Sequence, residues 1–581
     1  MADLVDRLRM ARADRDTIER ELPGDIGIVG PPTVALRCHI EIQDRSTMRS
    51  SLPSLFISII MMTLGWTGSA AQSARTSQVA DADTHPVDWQ MVARIREEGL
   101  QRSQLASTLS YMTDVLGARL TNSRDMKRAQ LWAVEEMRRV GLANVVIEPF
   151  MDYGVSWDNE YVSLHLIEPD YQPMVGYPIA HTPGTGGKQV LGVVIAHVNA
   201  KQDLERYRGQ LRGMAVLATP PPTIDLSRIA TGVPRWTDEE LRQLEQAVMP
   251  PPSPPVPRVP QDRLENPDRL TAEERLSFFK SEGVAVVLES SSGWAGAVRG
   301  FARPGANADG WSREATLGSL PVVAVTPEHY NRMYRTVARD IPVTIEVEIR
   351  NRIGDTVEQA GNVLGEILGT DLADEVVMLG AHFDTWHASP NASDNTSGVA
   401  VMLEAVRILR AVGAMPRRTI RVALWSGEEQ GLYGSRAYVR QHFGDPNDTL
   451  VGVTPAYERF SVYFNQDYGP GQYRGIWLQR NEHVRQTFAA WMEPFGDMGM
   501  TTLPIRSVGS TDHVPFDDAG LPAFQFLQDR VGGTGGHTNL DFFDTLPIED
   551  LMKNAVIMAS FVYHAAMSDT RMPRKHETQS P

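Results

Sequence analysis

The stretch that most constrains this chain runs from Glu375 to Asn395, EVVMLGAHFDTWHASPNASDN. Its first residues, Glu375 to Ala381, form an apolar run rich in Val, Leu and Met. A polar cluster soon follows, which is the pattern of a buried strand ending in a loop. Ligands of open α/β sheets gather at that carboxyl end. There the chain places His382 and Asp384 two residues apart. Asp394 follows in the turn Ser-Asp-Asn-Thr-Ser-Gly, which opens the helical pattern Val399, Met402, Leu403, Val406, Leu409. An imidazole and a carboxylate at i and i+2 project to one side of an extended segment, so one can bind a metal while the other holds the ring.

The flanking sequence reads as the rest of an α/β domain. Leu105, Leu109, Met112 and Val115 recur at helical spacing, and Ala129 to Val140 repeats the pattern. Ala143 to Phe150 then reads as an edge strand. Thr419 to Trp425 predicts a further buried strand with Glu428 and Glu429 just past its end. Phe460 to Phe464 predicts another, followed by Asp467. Phe524 to Leu527 is a short strand, and Asp550 to Ala566 a closing helix. Between them, residues 188–327 change character: short β-like runs (Val190–His197, Gly213–Leu217, Val284–Leu288, Pro321–Val325) surround the low-complexity run PPPSPPVPRVPQDR. This predicts a small β-rich domain inserted into the α/β one. Val343 to Arg350 and Ala360 to Gly369 read as paired strands leading back into the first sheet. The expected parts are thus 87–187, the insertion at 188–327, and 328–570.

The front of the chain reads differently. From Met48 the sequence has one arginine, an apolar run from Leu52 to Trp66, and the small residues Gly68 to Ala71, the order of a secretory signal peptide. Residues 1–47 are then an upstream extension ahead of a start at Met48, and 48–71 a leader. A run this short, interrupted by Pro53, suits a bilayer span poorly, so a membrane anchor is the lesser alternative to a periplasmic or secreted protein. The single cysteine, Cys38, precedes Met48, so neither disulfides nor a thiol nucleophile belong to the mature chain. A formal net charge of −16 excludes a basic nucleic-acid footprint. Nothing in the sequence specifies an oligomer.

Metal-type ligands therefore arrive from several strand ends or loops: His382 with Asp384 and Asp394, Glu428-Glu429, Asp467, and His537 in Gly-Gly-His-Thr-Asn-Leu-Asp541. In order, the motifs HFD, SDNTSG, WSGEEQGLYGS, NQDYG, STDHVPF and GGHTNLDFFDT resemble the di-zinc exopeptidases, a family that includes bacterial aminopeptidases, carboxypeptidase Q and glutamate carboxypeptidase. That resemblance implies a mixed, mostly parallel sheet with helices on both faces, and an insertion of the protease-associated type. It implies two zinc ions per chain and peptide substrates. Asp394 would bridge the ions, with His382 and Asp467 at one and Glu429 and His537 at the other. Glu428 would be the general base and Asp384 would orient His382. It also implies a cis peptide at Asp394-Asn395. Gly536 departs from the pattern, since many relatives carry tyrosine there; Tyr433 and Tyr468 are the phenols that could substitute.

Two zinc ions sharing a carboxylate suit peptide hydrolysis because they acidify water and polarise a carbonyl. An aminopeptidase is the leading expectation, and a dipeptidase or carboxypeptidase the alternative. A non-catalytic receptor-like homologue would have lost ligands or the base, and here every position is filled.

Overall fold

Alternate residues of the strands around His382 enter two different cores. In Arg418–Trp425, Ile420, Val422 and Leu424 join one apolar cluster, while Ala423 and Trp425 join the other. In Leu372–His382, Val377, Leu379 and Ala381 face the first cluster and Met378 the second. A sheet covered on both faces follows from that alternation, and each fully buried Val or Leu contributes roughly 1.5–3 kcal/mol.

The protein is known here from a computed structural model, which describes residues 86–224, 235–249, 266–292, 295–303, 311–446, 448, 450–531 and 536–575. The expected upstream extension, the leader at 48–71 and the proline-rich run lie outside these residues. No described helix is long and apolar enough to cross a membrane.

The first sheet has seven strands, in the order Ala143–Gly154, Glu358–Ile367, Arg418–Trp425, Leu372–His382, Phe460–Asn465, Ala523–Gln528 and Tyr473–Ile476. Its four middle-to-late strands, from Arg418–Trp425 to Ala523–Gln528, pair in parallel. The remaining pairings are antiparallel. The sheet is therefore mixed, with a parallel centre. Register aligns His382 with Trp425 and Gly380 with Asn465, so the carboxyl ends of the parallel strands open at one edge.

Helices Trp89–Gln101, Ser397–Ala411 and Ile548–Met567 pack on the first face. Tyr438, Val439 and Phe443 of helix Tyr433–Phe443 pack on the second. Helix Arg124–Val140 has sequence-encoded ends: Ser123 accepts a hydrogen bond from the Met126 amide, and Gly141 takes the left-handed conformation at φ 91°.

A second sheet of eight strands takes its members from Trp157 to Ile353, wider than the segment 188–327. One expectation is corrected here. Val343–Arg350 and Ala360–Gly369 do not pair: Thr344–Ile353 lies between Trp157–Glu168 and Gln189–Ile195 in the second sheet, whereas Glu358–Ile367 lies in the first. Alternation reveals that a segment is a strand but says nothing about its partner.

Two helices of the first face are joined by a buried ion cluster. Arg407 donates to Glu98 at 2.7 Å and to both oxygens of Glu404 at 2.8 and 3.0 Å. Burial pushes the Glu98 carboxyl upward, but hydrogen bonds from Arg407 and Arg102 outweigh it and hold the group below its usual range. Its stabilising contribution is present above the unfolded-state pKa and is lost as pH falls through the lower folded value. Arg407→Ala leaves Glu404 with only the Gln104 amide, and should cost about 3 kcal/mol at pH 7. With the cation gone Glu98 loses the hydrogen bond that most opposes its burial and titrates upward, so the deficit should shrink as pH falls towards 5. Urea melts of both proteins at the two pH values test this, and an equal deficit at both would refute it.

Candidate functional site

His382 is the last residue of its strand. Its Nδ1 lies 2.9 Å from the backbone carbonyl of Asp384, and because a carbonyl only accepts, Nδ1 carries the proton. Nε2 then faces Asp394 Oδ1 at 3.1 Å and Asp467 Oδ1 at 3.0 Å. On the other side, His537 Nε2 lies 3.1 Å from Asp394 Oδ2 and 2.7 Å from Glu429 Oε2. Two groups result, His382–Asp394–Asp467 and Asp394–Glu429–His537, whose donor atoms lie within 4.8 Å of one another. Asp394 belongs to both and gives one oxygen to each. Glu428 belongs to neither, but its Oε2 is 4.0 Å from His382 Nε2, and it lines the same cavity as Asp394, Glu429, Asp467 and His537.

The loop bearing Asp394 is held from behind. Asn391 sits in the left-handed region, and its side chain donates to the carbonyls of Trp386 and Ser389 at 2.7 and 2.6 Å. Asp541 accepts from the amide of Ser393 at 2.9 Å and from its hydroxyl at 2.7 Å. Asn395 donates to the Gln466 carbonyl at 2.8 Å and accepts from the Gly398 amide at 3.0 Å. The Asp394–Asn395 peptide is cis, as the resemblance implies.

Asp384 holds more than the His382 ring. Its carboxylate is 3.9 Å from His382 Nδ1, and the ring is held instead by the Asp384 backbone. The carboxylate accepts from the amides of Glu428 and Glu429 at 3.2 and 3.3 Å and from the Thr121 hydroxyl at 3.0 Å. It braces the turn that carries the two glutamates. The spacing His-x-Asp placed both groups on one side of the chain, but only the fold brings the glutamate turn within reach.

The buried carboxylates press on one another. Burial, with Asp467 and Asp512 nearby, pushes Glu428 well up despite the attraction of His382. Burial and Asp394 raise Glu429 to about 7. For Asp394 the two imidazole hydrogen bonds overcome burial and hold it below the usual carboxylate range. The same contacts hold His537 up at about 10 against the effect of burial. Such a cluster calls for positive charge at its centre. The donor set fits zinc: each group combines imidazole nitrogen with carboxylate oxygens, and Glu429 Oε1 is buried without a hydrogen-bond partner.

Other side chains near the site stand outside the two groups. His387 is buried with Nε2 2.7 Å from the Pro178 carbonyl and its ring edge-on to Trp157. Tyr433 packs edge-on to Tyr153. Tyr468 lines the cavity, with its hydroxyl donating to the Gly509 carbonyl. Residues not singled out from sequence prove important. Fully buried Arg119 donates to the carbonyl of Phe383 at 2.8 Å and to the hydroxyl of Thr396 at 2.5 Å. The segment Val298–Phe301 pins the loop of His537: the Gly300 amide donates to the His537 carbonyl at 2.7 Å, and the Asn539 amide to the Val298 carbonyl at 3.0 Å. No local pattern announces such contacts.

A mixed sheet whose parallel strand ends and neighbouring loops converge on two histidine–carboxylate groups sharing one aspartate defines a metal-dependent hydrolase. The model described as peptidase family M28 matches residues 362–562 of this chain. Carboxypeptidase Q of Homo sapiens is 20% identical over 477 residues, covering 82% of this chain and 88% of that protein. Aminopeptidase YwaD of Bacillus subtilis is 28% identical over 209 residues, 34% of this chain and 42% of that one. The crystal structure of a peptidase M28 precursor from Shewanella amazonensis shares the fold, with a TM-score of 0.58 at 21% identity, covering 83% of this chain and 98% of that one.

The glycine before His537 has a steric reason. A Cβ on Gly536 would stand 2.2 Å from Asp394 Oδ2 and 2.4 Å from its Cβ, so any side chain there displaces the shared carboxylate. Gly536→Ala should therefore lower bound zinc, measured by elemental analysis of purified protein, while the far-ultraviolet circular dichroism stays unchanged. Full zinc occupancy in the variant would show that the shared carboxylate tolerates the shift.

Proposed function

We propose that this protein is a two-zinc exopeptidase that removes single residues from the amino ends of peptides outside the cytoplasm. The observation that carries the reading is Asp394, whose two oxygens face His382 and His537 from a cavity that Glu428 also lines. His382, Asp394 and Asp467 would hold one ion, and Asp394, Glu429 and His537 the other. Zinc bound there would supply Lewis acidity, acidifying water and polarising the scissile carbonyl. Glu428 takes the proton of the attacking water and returns it to the leaving amine. Asp384 keeps that glutamate in place through its amide, and Thr121 holds Asp384.

The second sheet, in our reading, is a protease-associated domain. Its support is the β-rich segment itself and the contacts of Val298–Phe301 with the His537 loop. Residues 48–71 are read as a leader with translation starting at Met48, supported by the order of charge, apolar run and small residues. A carboxypeptidase or dipeptidase is the second reading, favoured by the likeness to carboxypeptidase Q across 82% of the chain.

Hydrolysis of free, N-acetylated and C-amidated forms of one tripeptide separates these readings. An aminopeptidase cuts the free and amidated forms, and a carboxypeptidase the free and acetylated ones. Glu428→Gln should lower kcat by about 10²–10⁴-fold with zinc content unchanged, and chelation should abolish activity in the parent. Undiminished turnover by Glu428→Gln would remove the assigned base; cleavage of the corresponding free dipeptide alone would identify a dipeptidase, and zinc-loaded parent protein inert to that dipeptide and to all three tripeptide forms would remove the exopeptidase.

A further inference from the structure

The cavity over the two histidine–carboxylate groups has a volume of about 610 Å³ and is lined by Asp394, Glu428, Glu429 and Asp467. One guanidinium, that of Arg436, lines it too. Arg436 lies in the first turn or so of helix Tyr433–Phe443, shortly after the glutamate pair, and is exposed. It also lines a second cavity of about 260 Å³, together with Arg440 and Asp518.

Its bonding is unusual for an arginine beside so many carboxylates. Nε donates to the Gly431 carbonyl at 3.3 Å, and among the described residues no ion pair engages the rest of the group. The planar fork suits a carboxylate, which can accept two parallel N–H bonds. Once cations occupy the site, Asp394, Glu429 and Asp467 are committed to them and Glu428 to proton transfer. Arg436, which is committed to neither, remains to receive a substrate carboxylate. A volume of this size falls in the small-molecule range and suits a short peptide, whose terminal carboxylate is close to every peptide bond.

We propose that Arg436 is a specificity-determining residue that binds a carboxylate of the peptide substrate and directs the enzyme towards short peptides. This rests on the exopeptidase reading above. The carboxylate can be the C-terminal group or an acidic side chain, and the substrates tell them apart.

The experiment compares zinc-loaded parent, Arg436→Gln and Arg436→Lys on Leu-Leu, Leu-Leu amide and Leu-Asp amide. The parent should prefer at least one carboxylate-bearing substrate over Leu-Leu amide by about tenfold or more in kcat/KM. Arg436→Gln should erase that preference through KM with kcat little changed, and Arg436→Lys should keep part of it. Preference for Leu-Leu identifies the C-terminal group, and preference for Leu-Asp amide the side chain. Equal kcat/KM on all three substrates in the parent, or an equal loss on all three in Arg436→Gln, overturns the proposal.

Calorimetry with the reduced-bond analogue of Leu-Leu, as acid and as amide, gives a readout independent of turnover. Acid-selective binding that needs Arg436, without hydrolysis of any substrate, would sink the exopeptidase reading and leave carboxylate recognition standing.

Discussion

Asp394 turns one oxygen to His382 and the other to His537, and the two halves of the site meet only through it. That carboxylate is buried among others, so its position must be enforced by the surrounding chain. Asp541 grips the preceding Ser393, the Asn395 side chain ties the following residue to Gln466, and Gly536 leaves the space that Asp394 fills. Burial makes each uncompensated charge costly, so the donors are arranged for cations rather than for one another.

The bracing around that centre reaches across distant parts of the chain. Thr121 bonds to Asp384, which holds the amides of Glu428 and Glu429, while Arg119 ties the Phe383 carbonyl to Thr396. The segment 298–301, in the connection between strands Val286–Ser290 and Val322–Val325 of the second sheet, fixes the His537 loop. Ligands on one sheet edge are thereby steadied by elements that carry no ligand. Partners of this kind orient donor groups and set their basicity.

Much of the scaffold was legible because burial leaves a period in the sequence. The runs at Glu375–Ala381, Thr419–Trp425 and Phe460–Phe464 correspond to strands, and the last helix spans Ile548–Met567. Strand Trp157–Glu168 leaves no clear period in the sequence: its charged and polar residues obscure the alternation, and two thirds of its length is not deeply buried. The strand at Thr344–Ile353 was recognised but placed in the wrong sheet, because a strand's own pattern does not encode its neighbour. Asp384 holds the His382 ring through its backbone carbonyl, while its further partners, the amides of Glu428 and Glu429, are not legible from the local spacing because they lie more than forty residues on.

The sequence by itself determined most of the central strands and long helices, and which residue types could bind a metal, because hydropathy period and donor chemistry are local properties. Their order along the chain also carried the resemblance to zinc exopeptidases. The resemblance already implied a shared Asp394 and a separate base at Glu428, and the fold brings those side chains together; only the tertiary structure decided that Asp384 serves the glutamate turn and that Arg436 lines the acidic cavity. Those are relations between residues far apart in the chain. They arise from parallel register, loop closure and the packing of two sheets, which no local period records.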